Sequence, residues 1–322
     1  MRLKTCLAAI ARTLAAGALV LAPLSARADD PKFTSVERPK DDAKPEGWKA
    51  QVKAGLLYLT GNSQSLSINA AGRVSYDAVW QKYTLYGDYT FSHATTLQAP
   101  TTTVTNLDQL QTVNGLAARL WDVGFRFDQY VIHNNAQWET SLYALAVLGS
   151  DYAAGKKLTG DGQVGASTLL VKTGEHTVKG EAGFDFAFVD PYQALPGQGT
   201  YFIFSLRLAM GYVWQITKTS QFTAGVEWLT NLNQEDAAYN SVTSPDAVPV
   251  FADNRINGKL GLTTQIYDAL SLGVSFVLRY DSAPSLSPLV NPPPVGGGPT
   301  PPLFVYKTDT ITTVQLIYNF GT

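Results

Sequence analysis

Cysteine, histidine and methionine are scarce in this chain, which has one, three and two of them among 322 residues. The single cysteine, Cys6, stands at the very start, so the rest of the chain has no disulfide framework and no thiol chemistry. His93, His133 and His176 are scattered at segment ends or in turns and give a zinc ion no ligand set. Charged residues are sparse at 16%. After residue 28 no uninterrupted apolar run approaches the roughly 18 to 20 residues that a membrane helix needs. Nor does any helical period follow a strand to open a phosphate-binding loop. No cofactor is expected, and the acidic pairs Asp29-Asp30 and Asp41-Asp42 read as solvated charge.

What is present begins with a leader. Arg2 and Lys4 precede an apolar stretch from Thr13 to Leu24, and Ala26-Arg27-Ala28 has the small-x-small pattern that signal peptidase reads. Residues 1–28 are therefore expected to be a cleaved secretory signal. Residues 29–47, charged and broken by Pro31, Pro39 and Pro45, are expected to be a flexible periplasmic leader. Removing residues 1–28 takes four of the 24 basic residues and none of the 26 acids, leaving a net charge of −6. That balance argues against a nucleic-acid partner, which needs a basic face.

From residue 48 to residue 322 the dominant signal is a period of two. Between Tyr201 and Gln215, Phe202, Phe204, Leu206, Leu208, Met210, Tyr212 and Trp214 fall on one face, with Ser205, Arg207, Gly211 and Gln215 on the other. The same split recurs between Leu270 and Asp281 and between Lys82 and Ser92. Tight joints at Asp77 to Gln81, His133 to Ala136, Thr173 to Thr177, Thr217 to Ser220 and Tyr267 to Ala269 alternate with long ones. The long ones run from about Ala94 to Asp108, Ser150 to Gly160, Asp190 to Thr200, Asn233 to Ala252 and Ser282 to Leu303, after a short first turn at Gly61-Asn62. A soluble sandwich has no reason to sort its loops by side, whereas outer-membrane barrels carry short turns on one rim and longer loops on the other.

The fold expected is all-β: a transmembrane, antiparallel, up-and-down β-barrel of twelve strands in the outer membrane. Between Leu110 and Val131 the apolar phase shifts, which predicts either one strand with a bulge near Leu120 or two strands; the bulge keeps the count even. Trp48, Trp80, Trp138, Tyr201, Trp214, Trp228, Tyr280 and Tyr318 near segment ends suggest interfacial girdles. Val314, Leu316, Tyr318 and Phe320 resemble the C-terminal assembly signal of outer-membrane proteins, though Gly321 and Thr322 follow the final aromatic. The segment 282–303, with Pro292-Pro293-Pro294 and Gly296-Gly297-Gly298, cannot be a strand and reads as a surface loop.

At Ala54-Gly55-Leu56 through Thr60-Gly61-Asn62-Ser63 the chain resembles the YdiY-like salt-induced outer-membrane proteins, a family built on a domain of unknown function. The likeness continues at Arg279-Tyr280-Asp281-Ser282-Ala283-Pro284, Lys307-Thr308-Asp309-Thr310 and Leu316-Ile317-Tyr318-Asn319-Phe320, so it spans roughly residues 47 to 320. It implies an outer-membrane barrel of a Gram-negative bacterium and supplies no catalytic residue. The proline and glycine run before Lys307 is longer than the family's usual connection.

The polar phase nominates the lumen-lining residues Lys49, Lys53, Arg73, Asp88, Asp185, Arg207, Glu227, Arg255, Lys259, Arg279 and Asp281. Two readings stay open: ion pairs that fill a narrow interior, or a constricted aqueous path whose charges tune selectivity. The function expected is a narrow passive channel for ions or small polar solutes, with a closed barrel acting through its external loops as the alternative. A barrel-embedded hydrolase is a minor one, because no His-x-Ser lies along a strand, and the chain is expected not to be an enzyme. The partners expected are outer-membrane lipid and the barrel assembly machinery.

Overall fold

The computed structural model describes residues 47–59, 64–78, 80–98, 111–134, 138–152, 155–192, 199–235, 248–283 and 307–320. The expected signal segment, nearly all of the periplasmic leader, the turn at Gly61-Asn62 and most of the 282–303 connection lie outside them.

Twelve strands account for almost all of these residues: β1 (Gly47–Leu59), β2 (Gln64–Asp77), β3 (Gln81–Gln98), β4 (Gln111–Asn134), β5 (Trp138–Asp151), β6 (Lys156–Lys172), β7 (His176–Pro191), β8 (Tyr201–Gln215), β9 (Ser220–Asn231), β10 (Asn254–Tyr267), β11 (Leu270–Asp281) and β12 (Thr308–Phe320). Each pairs antiparallel with its sequence neighbours, and β1 pairs with β12, so the sheet closes into a barrel. Closure pairs Ala50 to Ala54 with Leu316 to Phe320 and so joins the two ends of the sheet. Gly47 and Phe320 both lie at the end of the barrel that carries the tight turns, here called the near end.

The near-end turns are built by short polar side chains. Thr173 Oγ1 accepts a hydrogen bond from the His176 amide at 2.9 Å, and Thr217 Oγ1 accepts from the Ser220 amide at 3.0 Å. Asp268, between β10 and β11, holds φ at 34°, a left-handed conformation that Asp tolerates better than most residues.

Alternation along the strands sorts side chains by face. Outward lie Val52, Leu56, Leu85, Phe125, Leu148, Phe184, Phe202, Met210, Leu260 and Leu316 among many others, all exposed. Leaving such side chains in water forgoes roughly 1.5–3 kcal/mol each relative to full burial, so an apolar medium around the barrel is the environment that fits them. Inward lie buried polar groups such as Arg126, Ser167, Ser205 and Arg207.

Two sequence expectations need correction, at the joint after β5 and at Tyr201, and two details go beyond what was expected. The segment from Leu110 to Val131 is one strand, as the bulge reading required, but the register slips opposite Ser92 and His93, at Ala117 and three residues before Leu120; a second slip sits near Val131. The extra residue at Ala117 interrupts the alternation of β4 at that point. The long joint expected from Ser150 to Gly160 is a short hairpin, because β6 already begins at Lys156. Tyr201 is no girdle residue: it shares its phase with Ile203, Ser205 and Arg207, so its ring is buried inside the barrel. The interior is also not wholly polar, since Tyr143, Leu145 and Val147 form a buried cluster against Tyr86.

Candidate functional site in the barrel lumen

The lumen divides into a filled side and a wetter side. On the filled side a chain of charges crosses from β4 to β10. Arg126 on β4 donates through Nε and Nη2 to Asp128 at 2.9 and 2.7 Å, and its Nη2 lies 2.9 Å from Glu181 on β7. Arg207 on β8 bridges Glu181 at 2.9 Å and Glu227 on β9 at 2.5 Å. Asn257 on β10 then donates to Glu227 at 3.1 Å.

Tyr143 on β5 ties this chain together. Its hydroxyl accepts from Arg207 Nη1 at 2.8 Å, and its ring lies 4.2 Å from the Arg126 guanidinium carbon. The ring reaches across β6 and β7 because Gly165 and Gly183 stand side by side there; a Cβ on either would come within 3 Å of the Tyr143 hydroxyl and of backbone atoms. Arg126 and Arg207 are fully buried, so each guanidinium is compensated by carboxylates, as buried charge requires.

A second charged group occupies the far end, where the long connections are. Arg255 Nε lies 3.2 Å from Asp253 Oδ2, and its Nη2 donates to Ser205 Oγ at 2.6 Å. Arg279 Nη1 lies 3.8 Å from Asp151 Oδ2, and Gln163 donates to Asp185 at 2.9 Å. Asp281 accepts from the Ala283 amide at 2.9 Å. Above them Glu235 and Val248, in the connection from β9 to β10, exchange two backbone hydrogen bonds of 3.0 Å and are both buried. Burial, then the neighbouring Asp253 carboxylate, push the Glu235 carboxyl up to about 8.

The wall made by β12, β1, β2 and β3 with the near half of β10 is wetter, while β11 between β10 and β12 keeps Ser271, Arg279 and Asp281 buried. Gln51, Lys53, Asn69, Arg73, Lys259 and Gln315 face inward and are half-exposed, and Asp88 on β3 is exposed although its face is the lumen face. Amide links run along it, Gln51 to Asn319 at 2.7 Å and Gln315 to Asn69 at 3.1 Å. Ala71 stands between Lys53 and Asp88 in the register and leaves space on that rung. At the near rim Lys49 meets Asp77 at 2.6 Å.

All eleven residues nominated from sequence sit on the inward phase, but they do not form one site. Arg207 and Glu227 belong to the central chain, Asp185, Arg255, Arg279 and Asp281 to the far-end group, and Lys53, Arg73, Asp88 and Lys259 to the wet wall, with Lys49 at the rim. Sequence reasoning missed Arg126, Asp128, Tyr143, Asp151, Glu181, Glu235 and Asp253. Arg126 and Asp128 alternate with Phe125 and Phe127 and were legible in principle, yet they sit in the strand whose phase the bulge obscures. Glu235 left no periodic signal, because it lies outside the strands.

His93 is exposed on the outer face, and His176 stands in the β6–β7 turn region with Nδ1 2.9 Å from the Tyr212 hydroxyl. Among the described residues no cluster of His, Cys, Asp or Glu is arranged to hold a metal ion. The side chain of His133 lies outside them.

Several solved structures are similar in outline. An outer membrane channel from Pseudomonas putida F1 aligns with a TM-score of 0.47 at 10% identity, covering 89% of this chain and all of that one. The NanC porin aligns at 0.44 and 9%, covering 84% and 98%, and the translocator domain of the autotransporter NalP from Neisseria meningitidis at 0.42 and 10%, covering 87% and 90%. Nothing about ligand, partner or activity transfers at such distances. No curated protein matches the chain significantly. Residues 52–320 match the family described as protein of unknown function, DUF481, and the chain belongs to that family.

Proposed function

We propose that this barrel spans the outer membrane of a Gram-negative bacterium and provides a narrow passive path for ions or small polar solutes along its β12–β1–β3 wall, with no catalytic step. In this reading the near end faces the periplasm, the apolar outer face meets lipid, and the β12 face carrying Val314, Leu316, Tyr318 and Phe320, all exposed outward, serves the assembly machinery. The observation that carries the proposal is the asymmetry of the lumen: charge and packing fill the β4–β9 side and the far half of β10 and β11, whereas Gln51, Lys53, Asn69, Arg73, Asp88, Lys259 and Gln315 on the other wall stay half-exposed or exposed. A filter lined by charges of both signs admits small hydrated species and tunes which of them pass. Reconstitution of the refolded protein in a planar bilayer is expected to give small, reproducible conductance steps. A bilayer that stays silent over a wide voltage range removes the proposal.

The filled half favours a second reading, a closed barrel that acts through its long connections. Deleting residues 285–302 separates the two, because a passive path survives that deletion and a loop-borne interaction does not.

A further inference from the structure

The seam that closes the barrel is short. β1 pairs with β2 over all 13 of its residues, and β12 pairs with β11 over eleven, from Thr308 to Tyr318. With each other they pair over five, Ala50 to Ala54 against Phe320 to Leu316. Among the described residues that ladder goes no further, so residues 55–59 of β1 and 308–315 of β12 continue toward the far end without it. Gln315 marks the point where pairing stops: its Nε2 donates to Asn69 Oδ1 on β2 at 3.1 Å, reaching over Gly55 of the intervening β1. Gly55 permits the crossing, since a Cβ there would press on the Asn69 side chain and on the Val314 carbonyl.

Outward side chains change character at the same level. From the near end β12 presents Phe320, Tyr318, Leu316 and Val314 outward, all exposed, and then Thr312, Thr310 and Thr308 on the same phase, exposed or half-exposed. Their rung partners on β11 stay apolar or aromatic: Phe276 beside Thr312, Leu278 beside Thr310 and Tyr280 beside Thr308. Leu56, on the outward phase of β1 just beyond the last paired rung, is 67% exposed. A strip of hydroxyls therefore stands inside an otherwise apolar band, along the edge where the ladder has ended. Behind that edge lies the wet wall, where Asn69, Thr313 and Gln315 face inward and are half-exposed.

Hydrocarbon offers no hydrogen-bond partner to a strand edge, so an edge at this depth calls for water or a polar group. Hydroxyls on the lip, water behind it and apolar side chains on both flanks match a molecule that is itself polar at one end and apolar at the other. We propose that the far half of the β1–β12 seam is a lateral entrance, through which the polar head of a single-chain amphiphile in the surrounding leaflet reaches the wet wall while its chain stays on the lipid side. In the orientation proposed above that leaflet is the outer one. The entrance rests on the reading of a lipid-embedded barrel with a wet wall and not on ion flow, so the two fail separately.

The test places a bimane fluorophore on a single introduced cysteine, in a Cys6→Ser background, in barrels refolded into phospholipid vesicles. Thr313→Cys puts it on the wet side of the seam, and Val314→Cys puts it on the lipid side at the same depth. The quenchers are a lysophospholipid with a nitroxide on its head group and a phospholipid with a nitroxide at mid-chain. The mid-chain quencher is expected to reach the label at Val314, and the head-group quencher the label at Thr313 but not that at Val314. Thr310→Val with Thr312→Val, which keeps the branched shape, is expected to raise the amount of head-group quencher needed for half-quenching at Thr313 about tenfold, the worth of two hydrogen bonds. Folding of each variant is checked by the heat-dependent gel shift of a closed barrel. A Thr313 label that the head-group lipid leaves untouched, as a continuous wall or an added partner strand would, overturns the entrance, and so does quenching that the double variant leaves unchanged. Head-group quenching at Thr313 in a barrel that gives no conductance step keeps the entrance and removes the passive path.

Discussion

At the scale of single residues, Glu181 is the carboxylate that two buried guanidinium groups share. Glu181→Gln leaves Arg126 and Arg207 under-compensated, and breaking a buried pair by removing one partner typically costs about 3–5 kcal/mol. Denaturant unfolding from lipid is expected to show a loss of that size, and a change within about 0.5 kcal/mol would mean that the central chain is solvated. On the wet wall, Lys53→Glu is expected to shift the reversal potential in a salt gradient toward cations, and Asp88→Lys toward anions. An unchanged potential in both variants would place the current elsewhere. The wet-wall residues were readable from the sequence because Lys53, Arg73 and Asp88 lie in strands of undisturbed phase. Which nominated charges are buried and which meet water was not readable, because that depends on strands brought together only when the ring closes.

At the scale of elements, β8 shows why period two specifies the barrel. Phe202, Leu208 and Met210 are exposed outward while Ser205 and Arg207 are buried inward on the same strand. Leu208→Arg, near the middle of β8, is expected to destabilise the lipid-embedded barrel by about 2–4 kcal/mol. The same substitution at Gln315, inward on the wet wall, should cost only about 1 kcal/mol, the net value of the hydrogen bond to Asn69. Equal costs at the two sites would contradict the facing of the strands.

The β9–β10 connection is anchored by Glu235, whose carboxyl is raised from 4.5 to about 8. Its folded state therefore holds a proton that the released state loses, so anchoring weakens as pH rises from about 4.5 to 8 and is level above that. Hydrogen-exchange protection of the Val248 amide, which bonds to the Glu235 carbonyl, is expected to fall across that window and to lose its slope in Glu235→Gln. A slope that persists in the variant would assign the titration to another group. Sequence patterning could not reveal this anchor, since an isolated bridge between residues 235 and 248 has no period. The bulge at Ala117 was legible only as a phase change, and its exact site came from pairing with β3.

At the scale of the whole molecule, closure by β1 and β12 turns twelve two-faced strands into a cylinder with an apolar outside and an inside that is packed on one half and wet on the other. The even strand count was legible from spacing alone, and the sidedness of the connections only in part, since the joint after β5 is a short hairpin on the side of the long connections. The asymmetry of the lumen was not, because Tyr143 crossing over Gly165 and Gly183, and Arg279 meeting Asp151, are contacts between residues far apart in the chain.

Val52 and Lys53 are sequence neighbours on β1 that face opposite sides of the wall. Spin labels placed at each in turn, in the protein reconstituted in lipid, read both sides in one measurement of relaxation by oxygen, which partitions into hydrocarbon, and by an aqueous nickel chelate. The label at Val52 is expected to respond to oxygen and the label at Lys53 to the chelate. A Val52 label relaxed chiefly by the chelate, or a Lys53 label shielded from it, would contradict a barrel with lipid outside and water along its open wall.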